Sequence, residues 1–154
     1  MDFPRPDPAH LALLHRLAGD WTGPERAQPS PWGAGGESLG HGRYRVGLDG
    51  SALLQDYEQV KDGRVVFRGH GVFLIEPDSQ DVLWWWFDSM GFPPAPARGR
   101  WQGDTLYFEK VTPQGESRYR YEFGGDRYRF VIENRFPGQA DFAEFIRGDY
   151  TRQP

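Results

Sequence analysis

The side chains able to do chemistry in this chain are few, and their spacing narrows what they can do. Cysteine is absent, so there is no disulfide, no thiol nucleophile and no thiolate metal site. The four histidines are His10, His15, His41 and His70. His10 and His15 stand five apart on a predicted helix and point to different sides, so they cannot chelate together. His41 and His70 fall on different predicted strands without an acidic pair at ligand spacing, and neither a metal nor any other cofactor is expected. His70 is flanked by Gly69 and Gly71, and glycine in mid-strand often marks close approach by another group or a bulge. One reading makes His70 a pocket residue that hydrogen-bonds a ligand carbonyl or carboxylate, with Arg68 beside it. The other makes it a structural histidine in a stretch where glycines let the sheet bend. An enzyme using His70 as acid or base with a tyrosine partner is an alternative function. No recognisable catalytic template supports it: Ser89 follows Asp88 without a Gly-x-Ser-x-Gly elbow. The Gly33-Ala34-Gly35-Gly36 run lacks the helix and lysine of a phosphate loop. Asp56, Glu58, Glu109 and Glu133 share their strand faces with Arg or Lys, and surface ion pairs account for them.

Rings outnumber these groups. Aromatics make up 16% of the chain, and Val82 to Phe87 read Val-Leu-Trp-Trp-Trp-Phe. On a strand this run is apolar on both faces, with Leu83, Trp85 and Phe87 on one and Val82, Trp84 and Trp86 on the other. Trp85 is expected in the core or cavity wall. Trp84 and Trp86 are then expected outside, under the helix or against a second subunit across a two-fold axis. This gives a third reading, a homodimer or protein-interaction module built on the Trp84/Trp86 patch. The loop Asp88 to Pro96 and the segment Pro29 to Gly36, which contains Trp32, are candidate lids.

These residues need a scaffold. The chain has 154 residues, 20 Gly, 13 Pro and 38% apolar residues, which suits one domain of many short strands with a ring-built core. The net charge of -4 gives no electrostatic reason to bind nucleic acid or an anionic membrane. No apolar run approaches a membrane span and the N-terminus has no apolar leader core, so a cytoplasmic location is the expectation. Residues 1–6 are expected to be flexible and 7–18 to form a helix. Asp7 would cap it, Pro8 would start it, Leu11, Leu14 and Ala18 would form its stripe, and Gly19 would stop it. From 19 to 152 the pattern predicts strands near 20–27, 37–47, 51–61, 64–76, 80–88, 96–101, 104–112, 116–123, 127–136 and 142–152. Turn signals such as Asp62-Gly63, Gly103-Asp104 and Gly124-Gly125-Asp126 separate them.

Arg118, Arg120 and Glu122 alternate with Tyr119, Tyr121 and Phe123. Arg127 and Arg129 alternate with Tyr128, Phe130, Ile132 and Asn134. Arg43 and Arg45 alternate with Tyr44, Val46 and Leu48, the last three expected to face in. A meander with one dry face hides that face and its edges by closing on itself. The expectation is an all-β fold: one antiparallel up-and-down barrel of about ten strands with a short N-terminal helix that plugs or flanks it. The inward set carries polar tips, so either these groups satisfy one another or a ligand occupies the middle.

A helix running into Gly19-Asp20-Trp21 at the start of a meander resembles the Gly-x-Trp signature of lipocalins and their calycin relatives. The succession Leu17-Ala18-Gly19-Asp20-Trp21, Gly47-Leu48-Asp49-Gly50, Gly69-His70-Gly71-Val72-Phe73, Trp84 to Ser89 and Gly103-Asp104-Thr105-Leu106 resembles a bacterial family of unknown function with a lipocalin-like barrel. The resemblance implies the fold and carries no activity. Nitrobindin-type barrels start the same way and bind haem through a histidine near the C-terminal end. This chain has no histidine after His70, so haem is not carried over. The function expected is binding of a small apolar or amphipathic molecule, one with a carbonyl or carboxylate fitting best. Tyr44, Trp85, Tyr119, Tyr121, Tyr128 and Asn134 would form the wall, with Arg68 and His70 as polar anchors.

Overall fold

A computed structural model describes residues 2–31 and 33–154; Trp32, in the second candidate lid, lies outside them. The helix α1 spans Pro8–Leu14 and continues as a short 3-10 turn, His15–Leu17. The Asp7 side chain caps it by accepting from the Ala9 amide at 2.9 Å. The strands are β1 (Gly19–Ala27), β2 (Gly36–Gly47), β3 (Ala52–Lys61), β4 (Arg64–Ile75), β5 (Val82–Asp88), β6 (Ala97–Gln102), β7 (Thr105–Thr112), β8 (Gly115–Gly124), β9 (Arg127–Arg135) and β10 (Ala143–Arg152). Each pairs antiparallel with its sequence neighbours, and β1 pairs with β10 as well as β2, so the sheet closes into a barrel. No described helix is long and apolar enough to cross a membrane.

The helix plugs one end. Leu14 and Leu17 are fully buried against Trp21, Leu53 and Leu106. The Trp21 indole donates to the Leu17 carbonyl at 2.8 Å. Arg152, from the last strand, lies 4.3 Å from the centre of that ring and donates to the carbonyls of Arg16, at 2.9 Å, and Ala18. Chain start and chain end are thus locked through one indole.

Two sequence expectations about strand faces are overturned. Val46 and Leu48 are exposed, because β2 runs out at the barrel rim there and ends in the turn Leu48–Gly50. The larger correction concerns β5: Val82 and Trp84 are buried in the core, Trp86 packs beside them, and Trp85 and Phe87 point outward. Room decides this. Next to the two indoles the inward positions are Phe73, Gly71 and Gly69 on β4 and Ala97 on β6, so the only large neighbour is Phe73, which stacks on Trp84. A Cβ on Gly69 would stand 2.1 Å from the Trp86 ring, and one on Gly71 would stand 2.8 Å from the Trp84 Nε1. The glycines around His70 make space for two indoles.

Closure itself depends on Gly23, where a Cβ would lie 1.8 Å from the Asp149 carbonyl oxygen on β10. Gly23→Ala is therefore expected to cost about 1–3 kcal/mol in urea unfolding. An unchanged midpoint would refute the tight β1–β10 seam.

Candidate functional site

The barrel is hollow toward the end opposite the helix, where the cavity measures about 630 Å³. Its wall is ring-built, from Tyr44, Tyr57, Trp84, Trp86, Tyr119, Tyr121, Tyr128, Phe130 and Tyr150. Trp84 stacks on Phe73 at 5.2 Å and meets Tyr119 edge-on at 5.2 Å; Tyr119 in turn stacks on Phe130 at 6.4 Å. Residues 33–35 of the β1–β2 connection, the start of β2 at 36–38, and Met90 and Phe92 to Ala95 of the β5–β6 connection line the open end.

Two polar clusters sit among the rings. In the first, Tyr44 is the hub: its hydroxyl accepts from the Gln55 amide at 2.9 Å and lies 3.3 Å from the hydroxyls of both Tyr121 and Tyr128. Burial pushes the Tyr44 phenol up to about 12 despite these bonds, and it pushes Tyr121 and Tyr128 well above the ordinary phenol range. These hydroxyls satisfy one another. Two neighbours do not: the Gln55 Oε1 and Trp84 Nε1 are buried without a hydrogen-bond partner.

The second cluster centres on Glu25, which is 5% exposed. The Tyr57 hydroxyl faces both its carboxyl oxygens, at 2.6 and 2.7 Å, and Gln59 donates to that hydroxyl at 3.3 Å. A Cβ on Gly40 would fall 2.1 Å from the Glu25 Oε1, so the bare backbone of β2 forms the seat of the carboxyl. Burial raises the Glu25 pKa above the usual carboxylate value; hydrogen bonds from Tyr57 and Tyr150 offset this in part. At the open end, Ser117 donates to Asn134 at 2.9 Å.

Of the residues singled out in the sequence, Tyr44, Tyr119, Tyr121, Tyr128 and Asn134 line the cavity. Trp85, Arg68 and His70 do not. Trp85 is on the outer wall beside Val72. Arg68 points to solvent near Glu58, at 3.5 Å. His70 is half-exposed on the outer wall, its Nδ1 2.8 Å from the Asp56 Oδ1. The alternation of β4 that turns Gly69 and Gly71 inward turns Arg68 and His70 outward, so neither can anchor or attack a molecule inside. Sequence reasoning passed over Glu25, Gln55, Tyr57 and Tyr150. The alternation Trp21, Gly23, Glu25 carries the signal for the first, and Leu53, Gln55, Tyr57 for the next two. No group of three or more His, Asp or Glu side chains able to hold a metal occurs among the described residues.

The molecule is a closed ten-stranded antiparallel barrel with an aromatic interior. The crystal structure of Rv2717c from M. tuberculosis is similar, with a TM-score of 0.73 over 97% of this chain and 99% of that one, at 18% sequence identity. That similarity establishes a shared fold. No protein-family model and no curated protein matches the chain.

The buried phenols make stability depend on alkali. A group whose pKa is raised by folding contributes stability that is fully present below its unfolded pKa, about 10 for tyrosine, and lost as pH rises through the folded value. Six of the seven tyrosines have raised values. Absorbance titration of phenolate is expected to lag that of free tyrosine and then rise steeply as the barrel unfolds. Reversible ionisation of the full set near the free value would contradict this interior.

Proposed function

We propose that this barrel binds one small, partly apolar molecule in its aromatic cavity. The observation that carries the reading is the cavity itself: about 630 Å³ of ring-lined space inside a closed barrel. That volume lies within the roughly 300–1,000 Å³ of typical small-molecule sites. The rings supply contact area, and the amide, hydroxyls and carboxyl set orientation. The helix plug and the Gly19-Asp20-Trp21 start, with Trp21 buried at the closed end under that helix, support placing the chain among calycin-like barrels.

Native mass spectrometry of protein purified from its host tests the reading. The expected result is a population carrying one added small mass, removed by denaturation. A clean apo mass under gentle conditions, with no compound from an amphiphile panel raising the melting temperature, would defeat it.

A second reading concerns the outer wall. Leu54, Val72 and Trp85 stand side by side across β3, β4 and β5, and Phe87 is 44% exposed next to them. This apolar row replaces Trp84 and Trp86 as the surface on which a homodimer would form. If it does so, Trp85→Ser with Phe87→Ser halves the sedimenting mass of a protein that is otherwise dimeric. An identical mass for the variant and the parent removes the surface from consideration.

A further inference from the structure

The charges around the cavity are unevenly placed. Among the described residues, those that line it and carry charge are Glu25, Glu37, Lys61, Asp88 and Lys110. Four of these belong to the open end: Glu37 and Lys61 are exposed and Asp88 and Lys110 half-buried, so the mouth carries balanced charge in contact with water. Lys61 is additionally drawn to the Gly35 carbonyl at 3.3 Å, and Asp88 accepts from the Trp86 indole at 2.8 Å. Glu25 alone lies within the wall, and no arginine or histidine lines the cavity. An anionic ligand reaching the rings would meet a carboxyl and no buried counter-charge.

We infer that the cavity selects an organic cation, an amine borne on an apolar body, with Glu25 as its counter-charge and the surrounding rings as its cage. The inference rests on the small-molecule reading above and names the chemical class of the ligand. Tyr57 and Trp86 present their rings 5.9 Å apart, and Tyr150 faces the same carboxyl from β10. Aromatic faces attract ammonium groups, more strongly where water is excluded. Tyr57 and Tyr150 also orient the carboxyl, so an arriving ammonium meets an acceptor already in place. The expectation of a carboxylate ligand, drawn from Arg68 and His70, has no support inside the barrel. The burial of Glu25 has a second consequence. Its raised pKa means that ionisation disfavours the empty fold at neutral pH, a cost that a bound cation removes.

Calorimetry with three compounds that share one indole body tests this: tryptamine (cation), tryptophol (neutral) and indolepropionate (anion). The expected order is tryptamine tightest by about tenfold over tryptophol, with indolepropionate weakest. Glu25→Gln should erase the preference for tryptamine over tryptophol and raise the melting temperature of the empty protein. Wild-type protein supplies an independent readout. Tryptamine affinity should rise with pH as Glu25 ionises and then level, while tryptophol affinity stays flat. The groups facing Glu25 are Tyr57 and Gln59 from β3, Tyr150 from β10 and Tyr44 from β2, none of which titrates in the acid range. Equal affinities for tryptamine and tryptophol, or tightest binding of indolepropionate, would overturn the cation while leaving the cavity reading intact. Binding of none of the three at millimolar concentration would overturn both.

Discussion

Two indoles on neighbouring inward positions of one strand need more volume than a ten-stranded tube gives unless the strands beside them withdraw. They do withdraw. Gly69 and Gly71 on one side leave backbone where side chains would stand, and on the other side Ala97, opposite Trp84, offers only a methyl. Protein interiors are packed too tightly for such a fit to be adjustable by more than a few tenths of an ångström. Once Trp84 and Trp86 are inside, the facing of β4 and β5 is fixed, and β3 and β6 follow through their ladders. The site inherits its geometry from that fit: Trp84 holds Phe73, Tyr119 and Phe108, and Trp86 closes on Tyr57.

The interior divides into a sealed half and an open half. On the helix side, Leu14, Leu17 and Trp21 are fully buried, and the paired phenols of Tyr44, Tyr121 and Tyr128 form a polar floor. Beyond that floor Tyr57, Trp86, Tyr119 and Phe130 line open space. Glu25 belongs to the open half and is the part of the design hardest to explain as structure alone. A tube needing only stability would place an apolar residue there, since a buried carboxyl disfavours folding unless fully paired. A buried carboxyl beside ring-lined space supports the proposed site.

The sequence made most of this architecture legible. Glycine-rich turns set the strand ends, and the alternation of Arg and Glu with Tyr and Phe on β8 and β9 placed Tyr119, Tyr121, Tyr128 and Asn134 inside. Those strands have one charged and one ring-bearing face, so period two has a direction. On β5 both faces are apolar and the period carries no sign. The deciding fact, small inward residues on β4 and β6, is a matter of pairing across strands. The same ambiguity put His70 and Arg68 inside by chemical appeal when the glycines at 69 and 71 belonged there. Glu25 was hidden for another reason: Pro24 and Arg26 beside it make the segment look like polar surface.

A crystal of this protein pressurised with xenon measures the central claim directly, because the gas reports apolar volume without requiring the right ligand. The account predicts xenon in the tube among Trp86, Phe130 and Tyr119, with both indoles of Trp84 and Trp86 turned inward. An interior filled by side chains, with no xenon beyond the phenol floor, would contradict it.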